Sequence, residues 1–177
     1  GLTALLVSLF TLVVFIYQTN LIRQQQYMSV YPYLSMGNEY SSTLKYGYSL
    51  RNEGIGPAII ESVKVSYAKS KVYDDLVNYV EAMLNRASIL YNYASLTEER
   101  LITANGKIPL IQLVDKDMYS DYTVDGPGNL PINTLEDSNM LFKILNDKDL
   151  HIEIIYSSVY GEKWRLRNHT YAPVKLD

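Results

Sequence analysis

Cysteine is absent from the chain, which excludes a disulfide framework, a thiolate metal site and a cysteine nucleophile. Histidine is nearly absent: His151 and His169 are the only two, which leaves little for an imidazole-based zinc or iron site. No excess of basic charge exists either. Sixteen Lys and Arg stand against nineteen Asp and Glu, a net charge of −3, so nothing global points to nucleic acid. There is no internal repeat and no low-complexity tract. Phenylalanine (3) and tryptophan (1) are scarce, whereas tyrosine is abundant (17). Tyrosine favours strands and half-buried surfaces, where the ring packs and the hydroxyl stays wet. The composition therefore leans towards β structure and interfaces.

What the chain has in quantity is apolar sequence at its start. Residues 2–17 read LTALLVSLFTLVVFIY, without a charge and with only Thr and Ser as polar interruptions. Both hydroxyls are expected to bond back to carbonyls of their own helix, which permits burial in lipid. Sixteen residues of helix rise about 24 Å, and continuing to Ile22 gives about 31–33 Å, enough for a hydrocarbon core of about 30 Å. Segment 1–22 is therefore expected to be a transmembrane helix that meets the lipid bilayer through residues 2–22. Segment 23–29 is expected to continue it as a juxtamembrane stalk. A cleaved signal peptide fits poorly, because QTNLIRQQQY follows the apolar run and offers no A-x-A-like site. A one-sided core helix fits poorly too, because the run is apolar all round. The chain begins at Gly1 rather than Met, and a few upstream residues with a basic flank are expected. A lone helix with no ionisable residue over 2–22 makes neither a pore nor a proton path, so its expected work is anchoring or packing beside other helices.

Segment 30–177 is long enough for one domain with a real core. Pro32 marks an edge strand in SVYPYLSM (29–36). Residues 43–51 alternate, with Leu44, Tyr46, Tyr48 and Leu50 on one face and Lys45, Gly47, Ser49 and Arg51 on the other. NEGIGPA (52–58) follows, where Gly54 and Gly56 permit positive φ. Residues 58–68 alternate again, with Ile59, Val63, Val65 and Tyr67 inward, so the two strands are expected to pair as a hairpin. Residues 71–92 change to helical period, with Ser70 as N-cap and Val72, Leu76, Val80, Met83, Leu84 and Ala87 as the stripe. Asn105-Gly106 signals a second hairpin, with Pro109 placing its return arm at an edge. A loop is expected over 115–131, then a second helix over 135–146 capped by Thr134 with Asp137 as capping-box partner. The strand LHIEIIYSSVY (150–160) and its return KWRLR (163–167) close the fold, with Trp164 and Leu166 inward and a polar tail beyond. The fold class is mainly β with helical insertions: an N-terminal transmembrane helix followed by an antiparallel β-sandwich-like domain.

The order of a span, a P-Y-L strand (Pro32, Tyr33, Leu34), N-x-G-x-G-P-A (Asn52, Gly54, Gly56, Pro57, Ala58) and a Y-S-S-V-Y-G-E-x-W hairpin (Tyr156 to Trp164) resembles uncharacterised bacterial single-pass membrane proteins with a small extracytoplasmic β-rich domain. The resemblance covers roughly the whole chain and its motifs are structural. It implies topology and fold class, and no catalytic residue.

The residues that bear chemistry each have a plainer explanation. Asp115, Asp117, Asp121 and Asp125 begin like a calcium loop, but Tyr119 stands where a third ligand belongs and Gly126 comes too late for the turn, so a solvated loop is expected and no metal or other cofactor. The NEGIGPA glycines lack the following helix of a phosphate cradle. Lys45, Arg51, Lys64, Lys163, Arg165 and Arg167 fall on outward strand faces; aligned, they form a patch for an anionic partner, and otherwise they are a solvated face that blocks edge-to-edge aggregation. His151 is read as lying across the sheet from Glu153, so no dyad is expected, and Ser157 and Ser158 lack a nucleophile elbow. Tyr31, Tyr33, Tyr91, Tyr93, Tyr119 and Tyr122 suit contacts. The functional expectation is a non-catalytic, membrane-anchored accessory or assembly subunit of a larger membrane protein complex. The alternative is a membrane-tethered binding module for a glycan, cell-wall or other extracytoplasmic ligand. The single visible flank charge, Arg23, favours a cytoplasmic domain, whereas the resemblance implies the cytoplasmic (inner) membrane with the domain outside.

Overall fold

A computed structural model of the chain describes residues 1–68, 70–84, 89–114, 133–170 and 172–176. One helix, α1, runs without a break over Leu2–Ser29, so the apolar run and the stalk are a single rod of about 42 Å. Its hydroxyls bond as the sequence leads one to expect. Ser8 Oγ donates to the Ala4 carbonyl at 2.9 Å, and Thr11 and Thr19 to those of Val7 and Phe15 at 2.8 Å each. No residue of α1 is buried. It is long and apolar enough to cross a membrane.

Antiparallel sheets follow. Among the described residues, strands β1 (Leu34–Glu39), β2 (Gly47–Asn52), β7 (Lys107–Leu113) and β5 (Tyr91–Tyr93) form one sheet in the spatial order β1-β2-β7-β5. The second has the order β10-β9-β8-β3-β4, built from β3 (Ala58–Tyr67), β4 (Lys71–Tyr73), β8 (Leu150–Ser157), β9 (Lys163–Arg167) and β10 (Val174–Leu176). The short β6 (Leu101–Ile102) pairs the start of β3. Both sheets supply one hydrophobic core. Leu34, Tyr48, Leu50, Ile111 and Leu113 come from the first, and Ala58, Ile60, Val65, Ile154, Tyr156, Trp164 and Leu166 from the second. Helix α2 (Leu76–Leu84) adds Leu76, Val80 and Leu84 to the same cluster, each contributing about 1.5–3 kcal/mol by burial.

Several expectations fail here, each for a visible reason. β2 and β3 do not pair as a hairpin, because the turn between them carries the chain from one sheet to the other. Neither Gly54 nor Gly56 has positive φ. They are glycines because the turn is pressed against residues 30–33, and a Cβ on Gly56 would overlap the Val30 carbonyl. Asn105-Gly106 is likewise no hairpin, since β6 lies in the second sheet and β7 in the first. Asn105 takes a positive φ of 57° and the Gly106 N–H returns to the Thr103 carbonyl at 2.9 Å, so the local turn is as expected but leads elsewhere. β7 is interior rather than an edge, and Pro109 sits at the irregularity where Tyr48 and Ser49 shift register against β7, beyond the residues that β5 pairs.

A register shift between Ile60 and Ser62 explains a further departure. Ala58 and Ile60 point inward at the start of β3, and the bulge resets the alternation so that Val65 is inward after it. Ile59 therefore lies off the core. Among the described residues the helix expected over 71–92 is α2, preceded by β4, in which Val72 is 64% exposed, and followed by β5. Asp75, not Ser70, accepts the Leu76 N–H. Ala87 lies outside the described residues. The polar tail contains β10, which covers the edge of β9.

Helix α3 (Leu135–Leu145) starts at the predicted capping box: Thr134 and Asp137 bond each other's backbone N–H. Leu141 and Leu145 face the core, but Leu135 is half exposed, and Phe142 lies edge-on to Tyr46 at 5.9 Å. Tyr79 of α2 donates its hydroxyl to the Ile144 carbonyl at 3.1 Å, so the two helices close the core together.

Candidate interaction surfaces

The root of α1 is the first surface. Asn52, at the end of β2, is 1% exposed and ties three segments. Its Oδ1 accepts the N–H groups of Tyr33 and Gly54, each at 3.1 Å. Its Nδ2 donates to the carbonyls of Gly56, Ile102 and Thr103 at 2.8, 3.2 and 3.1 Å. Both crossing turns are thus held by one amide, directly beneath the helix. Above it the Tyr31 carbonyl accepts the N–H groups of Ile55 and Gly56. Aromatic rings then join helix to domain. Tyr27 meets Tyr160 edge-on at 5.2 Å, and Tyr31 meets Trp164 at 5.3 Å. Trp164 stacks on Tyr156, whose hydroxyl accepts the Leu34 N–H. Burial, ahead of the neighbouring Tyr33, pushes the Tyr31 hydroxyl above its ordinary value. Met28, Ile55, Val159 and Tyr160 remain exposed around this root. They form an apolar and aromatic rim.

Strand-face cations form a second set, and the structure divides them. Arg51 belongs to the first sheet, where it and Lys107 pair with Glu39, whose side chain is only 9% exposed. Burial alone pushes the Glu39 carboxyl up, but hydrogen bonds from Lys107, Ser49 and Arg51 outweigh it and hold its pKa at about 2. Lys45 is exposed ahead of β2. Lys64, Lys163, Arg165 and Arg167 share the outer face of the second sheet. Two of them are spent on neighbours: Lys163 pairs with Glu61 at 3.0 Å and Arg167 with Glu153 at 2.7 Å.

On that same face lies a third surface, which sequence reasoning missed. An open hollow of about 400 Å³ is lined by Lys64, Ser66, His151, Glu153, Arg167 and His169 among others. Strand register builds it: Lys64 stands opposite Glu153 and Ser66 opposite His151 across β3 and β8, and Glu153 stands opposite Arg167 across β8 and β9. His151 and Glu153, two residues apart on one strand, therefore share a face instead of lying across the sheet. His169 arrives from the chain after β9. Its Nε2 lies 2.8 Å from the Leu150 carbonyl, and its ring stands edge-on to that of His151 at 5.8 Å. Asn168 fixes this arrival by accepting the Ile152 N–H and donating to the Leu150 carbonyl. The signal available in sequence was the strand period, which places His151 and Glu153 together; nothing local announces His169.

The candidate tyrosines also separate. Tyr31 and Tyr33 are at the helix root, whereas Tyr91 and Tyr93 lie on β5, the sheet edge, with rings 6.5 Å apart. Asp115, Asp117, Asp121 and Asp125, with Tyr119 and Tyr122, lie outside the described residues. Among the described residues, no group of three His, Asp or Glu is arranged to hold a metal ion.

The chain matches no family model, no curated protein and no solved structure.

Proposed function

We propose that the chain is a non-catalytic, single-pass accessory subunit of the cytoplasmic membrane, whose sandwich-like β-domain stands outside the cytoplasm and works by contact with a larger membrane complex. The observation that carries this reading is α1. It exposes its whole apolar length, and it meets the domain only at its far end, where Tyr27 touches Tyr160 and Tyr31, just past the helix, touches Trp164. So much apolar surface outside a core calls for lipid or for other helices. With Ile22 at the edge of the hydrocarbon, Tyr27 stands about 7 Å further out, at headgroup level, where amphipathic rings are favoured. The rim of Met28, Ile55, Val159 and Tyr160 then rests against the bilayer surface. The test is mild-detergent extraction from native membranes, with mass spectrometry of what accompanies the chain. A stoichiometric larger membrane protein is the expected result; a monodisperse monomer that carries nothing overturns it.

A second reading, a membrane-tethered binding module, is favoured by the hollow beside His151 and His169.

A further inference from the structure

We infer that the hollow on the outer face of β3, β8 and β9 is a binding site for an acidic saccharide. This inference rests on the second reading above and names its ligand class. The argument starts from which donors are already used. Arg167 is engaged by Glu153, Asn168 by the backbone of Leu150 and Ile152, and Thr170 donates to the Arg167 carbonyl. The side chains of Lys64, Ser66 and His151 make no hydrogen bond or ion pair among the described residues. Register makes these three neighbours. Ser66 is directly opposite His151, and Lys64 is one diagonal step from it, so their Cβ atoms are separated by about 5–8 Å. One cation, one hydroxyl and one imidazole thus converge on a shared space with unmet capacity.

Charge sets the sign of the ligand. Lys64 and Arg167 face the single carboxylate Glu153, leaving a net positive hollow without any contribution from the histidines. Arg165 stands opposite Ile155, one residue pair along the same face. An oxyanion is therefore drawn in and held by Lys64. Shape and chemistry set the rest. The volume of about 400 Å³ is in the range of small-molecule sites, and the opening is broad. Two imidazoles set edge to face offer a ring surface for the apolar face of a sugar. The Ser66 and Thr170 hydroxyls can accept from its hydroxyl groups. The site lies about 20 Å along β8 from the turn that packs on α1, so the rim at the helix root and the hollow occupy opposite ends of that strand.

The test is calorimetric titration of the full-length chain in detergent at low salt. The probes are a galacturonate trimer, the uncharged maltotriose, inorganic phosphate, and vesicles containing an anionic phospholipid. Saturable binding of the galacturonate trimer is expected, at least about tenfold tighter than phosphate or maltotriose. The variants Lys64→Gln and His151→Gln change exposed side chains and should each weaken it by about tenfold, with unchanged far-ultraviolet circular dichroism. Lys45→Gln, ahead of β2 in the other sheet, should leave it unchanged. Binding of maltotriose as tightly as of galacturonate overturns the acidic ligand while leaving a tethered binding module in place. Equal binding of phosphate overturns the saccharide. Vesicle binding that vanishes with Lys64→Gln, without galacturonate binding, assigns the site to a lipid headgroup and overturns the inference. Absence of binding to every probe overturns it together with the second reading.

Discussion

The carbonyl of Val30 occupies the space that a Cβ on Gly56 would need. It is the tightest of several approaches between the chain leaving α1 and the turn between the sheets, and the atoms that a Cβ would meet are backbone, not the end of a flexible side chain. Gly56→Ala should therefore cost about 3 kcal/mol or more, the upper range of overpacking. Gly37→Ala, in β1, meets nothing within 4 Å and should change stability by about 0.5 kcal/mol or less. Thermal unfolding followed in the near-ultraviolet, where Trp164 and the tyrosines report, separates the two.

Asn52 offers a sharper chemical test. Its Nδ2 faces three carbonyl oxygens, so Asn52→Asp would set a carboxylate against them in a buried site. A loss of about 3 kcal/mol or more is expected, exceeding that of Asn52→Ala, which removes the bonds without adding a charge. Urea midpoints of the two variants should rank in that order.

Glu39 gives the fold an acid sensitivity. Its folded pKa of about 2 lies below the ordinary 4.5, so its stabilisation is complete above the ordinary value and is lost as pH falls from there towards 2. Arg51 and Lys107 are half exposed, so solvent screening reduces the contribution to about 1–2 kcal/mol. Urea unfolding at about pH 6 and about pH 3 should show a little over half of that loss in the native chain and a smaller change in Glu39→Gln.

Ser138, on the buried side of α3, has a hydroxyl with no hydrogen-bond partner. Ser138→Ala removes that orphan and improves helix propensity, and it should raise stability by about 0.5–1 kcal/mol in the same unfolding measurement.

Placing a charge in the middle of α1 tests anchoring. Val13→Arg carries an insertion penalty of about 3 kcal/mol. The fraction of chain that resists alkaline extraction from membranes should fall. An unchanged fraction would remove the support for a spanning helix.

Features that depend on neighbours in sequence were legible. The unbroken α1, the Thr134–Asp137 capping box and the β8–β9 hairpin each follow from residues a few positions apart. The destinations of the two crossing turns were not. Asn52-Glu-Gly and Asn105-Gly read alike whether the next strand returns beside its predecessor or joins the other sheet. The deciding bonds link Asn52 to Ile102 and Thr103, some fifty residues away. The inward set of β3 was misread at its start for a similar reason: the bulge before Ser62 is visible only in its pairing with β8. At the hollow, Lys64 and Arg167 were legible as outward cations, but their convergence with His169 required the register of three strands.

Two turns joined by one amide also govern how the domain comes apart. The Asn52 side chain fixes the chain between β2 and β3 and at the end of β6, so its release loosens the edge of both sheets together. The two sheets share one hydrophobic core, so both should unfold in one cooperative step. During synthesis the knot stays untied until residues as far as Gly106 have emerged, whose carbonyl accepts the Asn52 N–H. Helix α1 is therefore complete in the emerged chain well before the domain beneath it has closed.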